Sequence, residues 1–315
     1  AFANHISNSL LKSRGLYCSD FRFVKVYLND SYNGVYLLVE QQQIDSLRVN
    51  IPESKEETDG VDTGYMLELD GYYQNELPIQ RFSINYGNYK ALTNGFSVVN
   101  DINNDAQHDF IKKVTQTIWN VTYDAIKNVN NDNNPYHTMD SEGNYIEDRS
   151  IKSAKEAIDR VIDIPSLTDM YLIHEICQDR DIGWSSFYFS IDMSKDGNKK
   201  LTFTAPWDFD YALGNSSYSN AQKASLKNQE KMISEGRLIR SGTKYKFSEN
   251  TSLVDDDFNM SNTTAFYVKN NDNPWLSIFS NETWFMDNVI TRFKEALYYK
   301  VFDASKAILA VEDFK

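Results

Sequence analysis

The stretch DRDIGWSSFYFSIDMSKDGNKKLTFTAPWDFDYALGN, residues 179–215, decides the reading of this chain. It sets Asp179 and Asp181 at one end, and Asp208 and Asp210 at the other, of what reads as a strand-turn-strand unit. Carboxylates gathered around an apolar hairpin are costly unless hydrogen bonds or cations compensate them. A divalent cation bound to a polyphosphate is an economical use of such a cluster. An acidic run on a solvated face would need no such compensation.

Outward from this segment, the preceding IPSLTDMYLIHEICQDRD predicts a helix through Cys177 with Ser166 as its N-cap. Upstream, Phe21 to Leu28 and Gly34 to Glu40 flank NDSYNG and predict a hairpin, with Asn33-Gly34 as its turn pair. Residues 51–63 read as a polar loop. GYMLELD, 64–70, reads as a strand with its acids outward, and QRFSINY and GFSVVN add two short strands. A helix is expected over residues 5–15, stopped by Gly15. The apolar spacing from Phe110 to Val129 predicts one or two more, and 153–162 a short one. Residues 128–145 are expected as an exposed loop and 216–250 as a polar, lysine-rich stretch. Helices are expected again from Pro274 onward. The fold class is therefore α+β, with an antiparallel sheet region at 1–105 and a mainly helical region at 106–315 that carries the acidic hairpin.

Composition bounds the function. The 315 residues suit one large domain or two lobes, and 41% hydrophobic residues with twenty tyrosines favour a globular chain over a disordered one. A formal charge of −13 argues against nonspecific nucleic-acid binding and against docking on an anionic membrane. It leaves ATP open, because a local cation overrides the global field. No signal peptide and no membrane span is visible in the sequence. Cys18 and Cys177 lack metal-binding spacing and read as buried apolar residues or a long-range disulfide.

Three blocks carry a family likeness: FRFVKVYLNDSYNGVYLLVEQQQID, DTGYMLELD, and DRDIGWSSFYF with APWDFDYALGN. With them the chain resembles the spore-coat protein H (CotH) kinase family. The resemblance implies a two-lobed, protein-kinase-like fold, with residues 1–105 as an N-lobe truncated at its start. It also implies an enzyme that uses ATP and Mg²⁺ or Mn²⁺ to phosphorylate protein Ser/Thr hydroxyls, and a secreted or cell-surface bacterial protein. Asp181 then corresponds to the catalytic-loop aspartate and Asp208 to the metal-binding aspartate, with Asp210 as a second ligand. Glu40 and Glu68 are placed near the nucleotide. Ser186 stands five residues after Asp181, where a kinase carries a metal-binding asparagine.

Each residue also has a plainer reading. Asp181 fits a turn-capping aspartate. Asp208 and Asp210, if on a strand, share one face about 7 Å apart and would equally suit an acidic strand end paired with Lys199 or Lys200. Asp179 and Arg180 suit a surface pair. His174 lacks HExxH spacing and reads as a core or interface histidine. The strand lysine that ATP chemistry normally needs is missing from FSVVNDI, where Val98 and Val99 stand; Lys25, Lys90 and Arg81 are the substitutes within reach. Asn215 is a further oxygen ligand to consider. The alternative function is a noncatalytic surface or scaffold module that binds a protein or a polysaccharide through exposed Trp and Tyr rings.

Overall fold

In the computed structural model the described residues are 7–8, 10–54, 60–89, 94–128, 130–131, 133–177, 179, 181–212, 238–241, 244–247 and 273–298. At the centre is a five-stranded antiparallel sheet in the order β4-β5-β3-β8-β9. Its strands are β3 (Gly64–Asp70), β4 (Arg81–Phe82), β5 (Gly95–Val98), β8 (Phe187–Asp192) and β9 (Thr202–Phe203). The acidic segment is thus a hairpin, with Phe189 opposite Phe203, and its long arm β8 joins β3 with Glu68 opposite Tyr188.

Strand periodicity of two gives this sheet two chemically different faces. Tyr65, Leu67, Leu69, Phe96, Val98, Phe187, Phe189, Ile191 and Phe203 face a helical layer and form the main core. The intervening residues Met66, Glu68, Asp70, Ser97 and Tyr188 necessarily project from the other face. There Met66 and Tyr188 join Ile44, Val49 and Ala205 in a smaller apolar cluster.

The core face is covered by α1 (Asp105–Lys127), α2 (Ala154–Val161), α3 (Ile164–Cys177), α4 (Pro274–Ser277) and α5 (Thr283–Tyr298). Helix α1 begins at Asn104, whose side chain accepts from the Gln107 amide, and buries Phe110, Ile111, Val114 and Ile118. One continuous helix satisfies the spacing that allowed one or two. Trp275 of α4 is fully buried and lies against Phe96, Trp119 and Phe189, while its ring N–H donates to the Tyr86 hydroxyl at 3.0 Å. At α3 the cap is Asp163, not Ser166: the Ser166 amide donates to Asp163 Oδ1 at 2.8 Å. Ser166 lies inside the helix, and its hydroxyl accepts from the Phe203 amide, tying α3 to β9.

Two further expectations change. The β1–β2 hairpin (Phe21–Leu28, Ser31–Val39) turns at Asn29-Asp30, both with positive φ, the backbone a two-residue I′ turn demands. Gly34 instead sits beside a bulge in β2, where register shifts between Val26 and Tyr27. The 128–145 stretch is not wholly loop, since β6 (His137–Met139) pairs with β7 (Tyr145–Glu147). Helical backbone does appear at residues 7–8 and 10–12, and Gly15 ends it at φ +72. Of 216–250, only β10 (Leu238–Ser241) and β11 (Lys244–Phe247) are described, as an antiparallel pair. Both cysteines are buried and free. No described helix is long and apolar enough to cross a membrane.

Candidate functional site

The alternation that fills the core from one side of β3 delivers Glu68 and Asp70 to the other. These acids lie on the face away from the main core, as the alternation in the sequence expects, but they are covered there instead of open to solvent; Asp70 is 8% exposed. Ser185 donates to Asp70 Oδ1 at 3.1 Å and lies 3.3 Å from Glu68 Oε1. The Ser186 amide donates to the same Glu68 oxygen at 3.0 Å. Ser97 and the Tyr72 amide bind Asp70 at 2.8 and 2.7 Å. Ser186 Oγ then reaches Asp208 Oδ2 at 3.3 Å. This contact joins the loop after α3 to the loop after β9, so the two ends of the hairpin segment meet.

Both loops are fixed by their surroundings. Asn94 donates to the carbonyls of Gly183 and Trp184 at 3.0 and 3.2 Å, and Asn273 donates to that of Ile182. Gly71 lets the Trp184 ring lie on the backbone, because a Cβ there would come within 2.3 Å of it. In the second loop, Phe209 stacks on His174 with centroids 5.6 Å apart. Ser186, Ala205 and Asp208 all adopt positive φ, at +60, +47 and +60. For non-glycine residues this costs roughly 1–3 kcal/mol each, and such strain gathers at functional sites.

Electrostatically the site is a sink of negative charge. Burial first, and the neighbouring Asp70 charge as well, push the Glu68 carboxyl up, against hydrogen bonds from Tyr188, Ser186 and Ser185. The Tyr188 phenol is raised by its burial and by the charges of Glu68, Asp70 and Asp208. Among the described residues neither Glu68 nor Asp70 has a lysine or arginine partner.

This predicts how stability moves with pH. The folded state holds the Glu68 proton to a higher pH than the unfolded chain does. Stability is therefore lost as pH rises from the ordinary carboxylate value through the raised one. Glu68→Gln should melt higher than the parent at pH 7, with the difference closing at about pH 4. Thermal melts at the two pH values measure it; a parent that is the more stable at pH 7 would refute the assignment.

His174 predicts the opposite slope. It is 2% exposed, and burial lowers its pKa from 6.5 to about 3. Asp179, with its Oδ2 3.7 Å from Nδ1, favours protonation but stands beyond hydrogen-bond range, so desolvation wins. Below pH 6.5 the unfolded chain takes up a proton that the folded chain refuses until about pH 3. Stability should fall by up to ~1.4 kcal/mol per pH unit across that window. His174→Phe should flatten the slope in denaturant titrations.

The remaining candidates fall in different places. Asp181 opens a 3₁₀ turn, Asp181–Gly183; its side chain lies outside the described residues. Asp208 and Asp210 are not on a strand: Asp208 caps a second 3₁₀ turn, Phe209–Tyr211, that carries Asp210. At about three residues per turn, positions two apart do not share a face, so Asp208 and Asp210 are not the same-face pair that a strand would make. Glu40 lies at the end of β2, where it accepts from the Asp20 amide at 2.9 Å and closes the hairpin base instead of joining the cluster. Val98 is buried in the core. Lys25 stands on β1 opposite Val35, and Arg81 donates to the Gln74 carbonyl. Lys90 and Asn215 lie outside the described residues. Asp70, Ser97 and Tyr188 were not foreseen, although strict alternation along GYMLELD and FYFSID was the signal that could have found them.

Among the described residues no three His, Cys, Asp or Glu side chains form a ready metal cage. The arrangement still suits a hard cation. Mg²⁺ keeps several waters and needs only one or two carboxylates beside substrate phosphates, and Asp208 with the Ser186 hydroxyl offers oxygen ligands next to two acids that are hydrogen-bonded but, among the described residues, carry no lysine or arginine partner.

Comparison with known proteins gives one match: the family model described as "CotH kinase protein" matches residues 1–314. No curated protein and no solved structure matches the chain.

Proposed function

The chain belongs to the CotH kinase family, and from that premise we propose that it is a two-lobed, kinase-like domain transferring the γ-phosphate of ATP to a Ser or Thr hydroxyl of a protein. The observation that carries this reading is the Ser186–Asp208 contact, which brings the two acidic loops together above Glu68 and Asp70. Asp208, with Ser186 alongside and Asp210 on the same turn, would hold Mg²⁺ or Mn²⁺. That ion would neutralise charge on the phosphates. Asp181 starts the loop that Asn94 and Asn273 anchor, which suits a base that orients the acceptor hydroxyl and takes its proton as ADP leaves. Glu68 and Asp70 hold Ser185 and Ser186 in place beneath it. A secreted or cell-surface setting and residues 1–105 and 106–315 as the two lobes belong to the same reading.

One observation favours a second function. Val98 is packed in the core where the family segment carries lysine, and no described cation compensates Glu68 or Asp70. A noncatalytic surface module binding a protein or polysaccharide would need no such cation. Calorimetry with ATP in the presence of Mg²⁺ and of Mn²⁺ separates the two. Saturable metal-dependent binding, followed by incorporation of labelled phosphate into the protein itself or a mixed protein substrate, is the expected result. Heat-silent titrations with both metals would leave only the noncatalytic module.

A further inference from the structure

A cleft of about 500 Å³ opens on α1 and β7, within the range of small-ligand pockets. Helix α1 covers the core face of the sheet, so the sheet stands between this cleft and Glu68. Its chemistry is unlike that of the acidic site. Four aromatic rings line it: Tyr86, Trp119, Tyr123 and Tyr145. The polar lining is mostly side-chain amides, and no lysine or arginine is among the described lining residues.

The rings are held firmly. Trp119 is buried with Tyr86 edge-on at 4.8 Å and Trp275 behind it at 5.3 Å. Tyr145 stacks flat on His137, centroids 4.3 Å apart and planes 8° from parallel, and stays 39% exposed. Asp124 organises this wall: it accepts from His137 Nδ1 at 3.1 Å and from the amides of Asn128 and Asn130, and it bonds the Tyr145 hydroxyl. Across the cleft, Gln116 exchanges hydrogen bonds with the Asn85 backbone at 2.7 and 3.0 Å and donates to Asn120 Oδ1 at 2.9 Å. Gln116 is thereby consumed in building the wall. Among the described residues the Asn120 amide nitrogen and the Tyr123 hydroxyl have no hydrogen-bond partner, which leaves the lining a donor and a donor–acceptor to offer.

We propose that this cleft is a binding site for a neutral oligosaccharide, independent of phosphotransfer. The partly exposed rings of Tyr123 and Tyr145, backed by the buried Trp119 and Tyr86, suit the C–H faces of pyranose rings, and amides offer paired donors and acceptors to vicinal hydroxyls. The missing cations disfavour phosphates and uronates. Aromatic grooves also take proline-rich peptides, but those present chiefly carbonyl acceptors and would leave the acceptor side of the Tyr123 hydroxyl unanswered. Sugar hydroxyls answer both kinds.

The test titrates the full chain with cellohexaose, xylohexaose, mannohexaose and maltohexaose, read by tryptophan emission and calorimetry. Saturable binding of at least one at millimolar concentration or below is expected. Tyr123→Ala and Asn120→Ala should each weaken it by about tenfold or more, while Asp208→Asn leaves it unchanged and circular dichroism shows both cleft variants folded. Silence with all four sugars would overturn the proposal. So would affinity untouched by both cleft variants, a preference for polygalacturonate, or binding of a decaproline peptide alone. Loss of ATP binding in the Asp208 variant bears on phosphotransfer and leaves this result standing.

Discussion

Asp208→Asn should lower phosphate transfer by about a hundredfold or more, the scale lost when a group aimed at developing charge is removed, and should abolish metal-dependent ATP binding. Asparagine is the informative replacement. Position 208 has φ +60 and ψ +60, a backbone that asparagine tolerates far better than alanine. Its amide oxygen can still accept from Ser186, so the two loops stay joined. What disappears is the negative charge alone. Labelled-phosphate incorporation and calorimetry, with a melting temperature close to the parent's, would locate the loss in chemistry and not in folding. Transfer that survives the change at the parental rate would remove position 208 from the metal site.

The largest expected stability effect lies far from that chemistry. Asp169 on α3 is fully buried and receives Arg292 in a two-pronged pair at 2.8 and 3.2 Å, with Arg14 at 3.0 Å. Arg292 also donates to the Leu10 carbonyl and to Ser13 Oγ at 3.0 and 2.7 Å. One knot thus ties the first helical turns, α3 and α5. Burial raises the Asp169 carboxyl, while the hydrogen bond and charge of Arg292, and the charge of Arg14, pull it down. Asp169→Ala strands Arg292 without its partner and should cost about 3–5 kcal/mol in urea unfolding. The paired change Asp169→Leu with Arg292→Met should recover most of it, since packed apolar groups often replace a buried ion pair at little loss. A loss below about 1 kcal/mol for the single change would mean that Arg292 escapes to water.

The existence of the elements was legible in the sequence wherever period and punctuation agreed. Strands β1, β3, β5 and β8 and helices α1 to α3 follow from apolar spacing. The site was legible only in part. Asp208 drew notice as one of the carboxylates that flank an apolar hairpin, and Ser186 by its five-residue spacing from Asp181 under the family resemblance. Asp70 and Tyr188 did not: alternation groups Glu68 with Asp70 on one face of β3, but that Tyr188 stands opposite Glu68 on the same face is set by the register of β3 with β8. The misplaced hairpin turn has a similar cause. Asn-Asp and Asn-Gly both suit positive φ, and cross-strand pairing of Leu28 with Ser31 decides between them. Strand geometry at Asp208–Asp210 failed because left-handed backbone at Ala205 and Asp208 bends the chain out of β9, which no propensity scale anticipates.

The ribbon of β1 and β2 pairs only with itself among the described strands, and Tyr27, Leu28, Tyr32, Val35 and Leu38 are each more than half exposed. Among the described strands its outer edges meet no further strand, and an apolar ladder with such edges recruits like ladders. Concentrated solutions of this chain should therefore turn cloudy by growth along that ribbon before the domain itself melts, and lysine or proline placed on its rim is the remedy the geometry recommends.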